Sequence, residues 1–198
     1  MKKSALLAAL LLCCARPAPA QEPCRIGRAA APDYGGVMLG MGLEELRRMF
    51  PGSEDLRAGP GAGGGAKPFV ASLGMFELNI RKEEFEGVEE LALTLIGGTL
   101  QRIDVVFRQP TLWKSSVADF SEQASRRLAL PLDSWGRPAS DKEKWSRVLD
   151  CQGFSVVLRI DKGGASTLSI VDTSPAGDEP PAKTVTPAKP PARKRGVR

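Results

Sequence analysis

The chain has 198 residues, with 28 lysines and arginines, 23 aspartates and glutamates and no histidine, for a formal charge of +5. The missing histidine excludes Ser-His-Asp and Cys-His catalysis and most zinc and non-haem iron sites, leaving carboxylate, lysine or tyrosine chemistry. The positive excess sits at the two ends, so that residues 21–174 carry about −2, whereas a nucleic-acid-binding domain would carry its basic patch on the fold itself.

Residues 1–20, "MKKSALLAALLLCCARPAPA", have a basic start at Lys2 and Lys3, an apolar run from Ala5 to Ala15, and small residues at Ala18 and Ala20. This is the pattern of a secretory signal peptide cleaved after Ala20, and it predicts a periplasmic or secreted protein. The apolar run is too short to span a bilayer, which takes about 20 residues. A lipid-anchored form would use Cys13 or Cys14, but Leu12 and Cys13 before them are not the small residues that lipoprotein processing prefers. Cleavage leaves Cys24 and Cys151. In an oxidising compartment an even pair reads as a disulfide, here one that closes most of the chain. Two unrelated buried thiols are the alternative. A metal site is disfavoured, because the two cysteines are far apart and no histidine joins them.

After an irregular lead-in, Val37 to Leu39 reads as a short strand or turn. Leu43, Leu46, Met49 and Phe50 then form one apolar stripe of a helix over about 43–50, with Glu44 and Glu45 in its first turn and Arg47 and Arg48 in its last. Pro51-Gly52 ends it. "SEDLRAGPGAGGGAKP" is a loop by composition. Three strands follow: "MFELNI" with Phe76, Leu78 and Ile80 on one face, "ELALTLI" with Leu91, Leu93 and Leu95, and "LQRIDVVF" with Leu100, Ile103, Val105 and Phe107 inward. Gly97-Gly98 between the last two is a hairpin signal. Alternation, in place of continuous apolar runs, predicts an antiparallel sheet with one covered face.

A second helix is predicted over about Ser116 to Leu128. Ser116 and Asp119 have the form of a capping box, Val117, Phe120, Ala124 and Leu128 make the apolar stripe, and Glu122 and Arg126 are an i,i+4 pair. "KWSRVLDC", "FSVVLRI" and "STLSIV" supply three more strands. The fold class is therefore α+β: an antiparallel sheet with two helices packed on one face, with a duplicated helix-plus-three-strand unit as one arrangement. Residues 21–174 form a single domain in this reading. Residues 175–198, rich in Pro, Ala, Lys and Arg with almost no apolar bulk, cannot bury enough surface to offset chain entropy and read as a disordered basic tail.

Candidate chemistry is sparse. "GPGAGG" (59–64) matches a phosphate-loop pattern in letters, but it lacks the preceding strand and following helix such a loop needs, and it reads as a surface loop. "VDTS" (171–174) resembles an aspartic-protease signature without the second aspartate that chemistry requires, so Asp172 reads as the end of the last strand. Glu83, Glu84, Glu86, Glu89 and Glu90 around Gly87 read as a solvated turn, with neither paired carboxylates in a cleft nor calcium-loop spacing. Trp113, Trp135 and Trp145 read mainly as core, with an exposed binding platform as the alternative. No catalytic, cofactor-binding or metal-binding residue is assigned, no cofactor is expected, and the residues singled out are the Cys24–Cys151 pair.

"LGMGLEELRRMFPG" resembles the helix that opens small exported bacterial domains, namely BamE (SmpA/OmlA)-like assembly lipoproteins and β-lactamase-inhibitor-protein-like domains. The matching positions are Gly40, Met41, Glu45, Leu46, Phe50, Pro51 and Gly52. "LALPLDSW" is similar to the "LG-x-P" exit in the same group. The chain more closely resembles uncharacterised small exported bacterial proteins in the segments Gly36 to Gly52, Phe85 to Leu93 and Cys151 to Phe154. Gly42 departs from the family's Ser or Thr N-cap, and no good lipobox is present. The resemblance implies a helical element on an antiparallel sheet, sometimes duplicated, in a non-catalytic, protein-binding envelope domain. The expected function is protein binding or scaffolding in the envelope, with another envelope protein as partner. Inhibition of a periplasmic or secreted enzyme is the alternative, and a histidine-free carboxylate hydrolase stands behind both. No nucleic-acid partner is expected, and the basic tail has the charge for weak contact with anionic polymers or lipid.

Overall fold

A computed structural model describes residues 23–57, 67–81, 83–107, 116–136, 145–161 and 165–174. Residues 1–22, where the signal peptide is expected, the 59–64 glycine run, Trp113 and residues 175–198 lie outside these. The described strands are β1 (Phe69–Gly74), β2 (Val88–Ile96), β3 (Thr99–Phe107), β4 (Ser146–Asp150), β5 (Phe154–Ile160) and β6 (Ser166–Asp172). They make one open antiparallel sheet in the order β1-β2-β3-β6-β5-β4. Two three-stranded meanders thus meet at the β3–β6 seam in mirrored order, each preceded in sequence by a helix. The helices are α1 (Leu43–Met49), α2 (Glu54–Arg57), α3 (Met75–Leu78) and α4 (Val117–Leu128).

Register shows how period-2 sequence becomes a two-faced layer. One row crosses all six strands as Ala71–Leu93–Ile103–Ile170–Val156–Leu149, and the next as Leu73–Leu91–Val105–Leu168–Leu158–Arg147. Every apolar member of these rows is buried. With Leu46, Leu56, Leu78, Phe120 and Ala124 they form one core on the helix-bearing side. At the β4 edge Arg147 replaces an aliphatic residue and is half-buried, its Nη1 donating to Ser121 Oγ of α4 at 3.1 Å. The β2–β3 hairpin turns on Gly97 and Gly98, both at positive φ, as a two-residue hairpin requires.

The helix ends follow their caps. Glu45 Oε2 accepts from the Gly42 N–H at 3.0 Å, and glycine has no side chain to return the bond. At α4 Ser116 Oγ accepts from the Asp119 N–H at 3.1 Å. Asp119 then accepts from the Ser116 hydroxyl at 2.8 Å, in place of the backbone contact a longer Glu or Gln makes in a full capping box.

Two expectations need correction. Residues 75–80 are not a strand: Met75–Leu78 is a helical turn continued as a 3-10 turn over Asn79–Arg81. The alternation of Phe69, Ala71 and Leu73 already supplies the edge strand against Leu95, Leu93 and Leu91. Beyond Gly74 the helix-forming Met, Glu and Leu turn the chain, which buries Leu78 and leaves Phe76 83% exposed. The composition-based loop after Gly52 also contains a helical turn. Ser53 Oγ accepts from the Leu56 N–H at 3.2 Å and Leu56 is fully buried, so a cap and one apolar anchor suffice.

Aromatic rings join the parts. Phe50–Phe85 (5.8 Å), Phe85–Tyr34 (6.0 Å), Tyr34–Phe107 (6.1 Å) and Phe107–Phe120 (5.8 Å) form a continuous run from the end of α1 to α4. The Tyr34–Val37 turn needs Gly35, whose φ is +60° and whose added Cβ would stand 2.5 Å from Phe85 Cζ. The remaining tie is covalent. Cys24 and Cys151 form a disulfide with Cα atoms 4.7 Å apart. Beside it the Gln152 N–H donates to the Ile26 carbonyl at 3.0 Å.

Candidate functional site

Among the described residues, no helix lies on the sheet face opposite the core. The central row of this face reads Ser72–Ala92–Asp104–Ser169–Val157–Val148, and the neighbouring row Val70–Thr94–Arg102–Val171–Ser155–Asp150. Six strands at about 4.8 Å spacing make it about 24 Å across. Short Ser, Thr, Ala and Val side chains keep it low in relief, and Val70 and Val148 are exposed on it.

At its centre lies a polar unit. Arg102 Nε donates to Asp104 Oδ2 at 2.7 Å, Ser169 Oγ donates to Asp104 Oδ1 at 2.5 Å, and Arg102 Nη2 reaches Ser169 Oγ at 3.5 Å. The hydrogen bond to Asp104 holds the Arg102 guanidinium above its ordinary pKa, against a smaller opposing effect of burial. Residues 67 apart in sequence make this unit, so neither half alone would have revealed it. The cue available was polar residues at outward positions of two strands that reasoning from sequence had not paired.

Both sheet edges are partly occupied. Asp55 Oδ2 accepts from the Ser72 N–H on β1 at 3.0 Å, and the Gly136 N–H donates to the Val148 carbonyl on β4 at 2.7 Å. Each bond removes an edge group that an incoming strand would use.

Asp172 of the "VDTS" motif lies at the end of β6, where its buried carboxylate pairs with Arg28 at 2.6 Å and accepts from the Ser174 N–H at 2.9 Å. It therefore anchors the N-terminal segment beside the disulfide. The glutamate cluster is split: Glu83, Glu84, Glu86 and Glu89 are exposed, while Glu90 is half-buried and accepts from Ser72 Oγ at 2.5 Å. Trp135 is buried and its indole N–H donates to Ser125 Oγ at 2.7 Å, whereas Trp145 is 40% exposed. Among the described residues no group of three His, Cys, Asp or Glu side chains converges as a metal site would require. No family model, curated protein or solved structure matches the chain.

A cleft of about 260 Å³ lies between Pro32–Gly35 and the end of α4, at Arg127–Ala129. Tyr34 is there, its hydroxyl buried without a hydrogen-bond partner among the described residues and the Arg127 guanidinium 4.8 Å from its ring centre. Burial pushes its pKa up to about 12, partly offset by the Arg127 charge. The folded phenol is thus harder to ionise than the unfolded one. Its contribution is fully present below about pH 10 and is lost as pH rises to about 12, a penalty on the order of 2–3 kcal/mol. This is the sole tyrosine, so tyrosinate absorbance should titrate near pH 12 in the native protein and near pH 10 in denaturant. Coincident native and denatured curves would refute the burial argument.

Proposed function

We propose that this chain is an exported, non-catalytic envelope protein that binds another protein through the helix-free face of its sheet. The observation that carries the reading is the six-strand row from Ser72 to Val148, a flat surface of short side chains around a preorganised Arg102–Asp104–Ser169 unit. An arginine fixed by a neighbour loses less entropy on engaging a partner, and arginine is enriched at binding hot spots. The partly blocked edges favour face-to-face contact over strand addition. Export is supported by the N-terminal segment together with the disulfide, which belongs to oxidising compartments, and the family resemblance points to the same class of role.

Crosslinking and affinity purification from the native cell envelope test it. One stoichiometric protein partner should be recovered with the native chain. Arg102→Ala combined with Val157→Asp should reduce its affinity at least about 30-fold, the scale of a lost hot spot, with the melting curve retained. Undiminished capture by that variant would rule out this face. An enzyme as the captured partner, silenced on binding, would establish the inhibitor form of the same reading.

A further inference from the structure

We infer that the corner formed by α3 and the β2 entry turn docks the chain's own proline-rich basic segment, residues 187–195. This corner is separate from the sheet face, and the inference stands or falls independently of it. Phe76 is 83% exposed on α3, and Met75, next to it in the same helical turn and 40% exposed, helps to line an apolar notch of about 160 Å³ with Leu78, Phe85 and Val88. An exposed phenyl and an apolar notch offered by the same helical turn are surfaces that lose water favourably when covered.

Charge selects the occupant. Glu83, Glu84, Glu86 and Glu89 are exposed along the turn that enters β2, with Glu86 at the notch itself. Among the described residues only Glu84 of these has an ion-pair partner, Arg81 at 3.1 Å, while Arg127 donates to the Glu84 carbonyl at 2.8 Å. A second copy laid on this corner would bring glutamates against glutamates, so a self-complementary dimer is disfavoured at neutral pH. The occupant must be cationic and must also cover a phenyl ring. Residues 187–195 read "PAKPPARKR", with three prolines and four basic residues. Such a segment prefers the extended polyproline helix, loses little entropy on docking, and is held by aromatic side chains contacting its prolines.

Reach permits the contact within one molecule. The described chain ends at Ser174, at the end of the sheet opposite this corner. The register puts the corner about 30 Å away, from about eight residues along the strands and three strand spacings across. In polyproline geometry the 13 residues from Ser174 to Pro187 span about 40 Å. Tethering at that length gives an effective concentration of the order of millimolar, enough to hold a weak site.

The test uses the full mature chain carrying a spin label at Ala192→Cys, with its native disulfide kept oxidised, observed by amide NMR. Signals of Met75–Gly87 should broaden selectively at low salt, and the broadening should fall several-fold in 0.5 M salt (roughly a 4 Å Debye length) because the ion pairs are exposed. Phe76→Ser should reduce it at low salt, and so should Glu83→Gln with Glu86→Gln. All three side chains are exposed, so these variants keep the fold. Uniform broadening over the surface, no broadening, or broadening indifferent to Phe76→Ser would overturn the proposal. Loss of broadening on dilution would place the segment on a neighbouring copy and overturn its intramolecular form.

Discussion

Replacing Cys24 and Cys151 together by alanine is expected to lower the unfolding free energy by about 3–5 kcal/mol, roughly 10–15 °C in melting temperature for a domain of this size. The two cysteines are 127 residues apart, so the bond closes nearly the whole described chain. For a ring of that length the restricted entropy of the unfolded chain alone gives about 5 kcal/mol as an upper value. The native geometry need not collapse when the bond is lost. The Arg28–Asp172 ion pair and the Gln152–Ile26 hydrogen bond hold the same segments together. Most of the loss should therefore appear in the unfolded state, as a lower urea midpoint with a larger slope, because the unlinked chain expands further. Adding reductant to the native chain should reproduce the shift. A change under 1 kcal/mol, with faster hydrogen exchange confined to residues 23–30, would mean that the bond fastens only a peripheral strap.

What the sequence made legible divides along a physical line. Periodicity identified five of the six strands and both long helices, because each buries one continuous face on a single core. The sixth strand was misplaced. "FVASLG" and "MFELNI" both alternate, and only pairing with Leu91, Leu93 and Leu95 decides between them, which is tertiary information. The disulfide was readable because, with Cys13 and Cys14 assigned to the expected signal segment, the two cysteines that remain allow one pairing. The Arg102–Asp104–Ser169 unit was not, since it depends on β3 pairing with β6 across the two halves and not on any local spacing. Asp172 shows the complementary case: its place at a strand end was legible, while its partner Arg28 was not.

Phe107→Ala is expected to cost about 3–5 kcal/mol, a large share of the 5–15 kcal/mol that holds a domain of this kind together. Phe107 is the last residue of β3, 1% exposed, and meets Tyr34 and Phe120 edge-on at 6.1 and 5.8 Å. Its ring thus joins the N-terminal turn, the sheet and α4. Truncation removes the transfer energy of the ring and two edge-to-face contacts worth about 0.5–1.5 kcal/mol each. It also leaves a cavity that cannot readily close. Tyr34 is fixed by the Gly35 turn and Phe85, and Phe120 is fixed by its helix, so neither ring can move in without displacing its own element. Phe107→Leu, which keeps most of the volume, should cost under about 1.5 kcal/mol. Tyr34→Phe should be nearly neutral, because the hydroxyl it removes is buried without a partner among the described residues. A double-mutant cycle with Phe120→Ala locates the effect. Coupling of about 0.5 kcal/mol or more is expected for rings in direct contact. Additive losses would show instead that Phe107 stabilises the sheet alone and that α4 is held by its other contacts, Ser121 to Arg147 and Ser125 to Trp135.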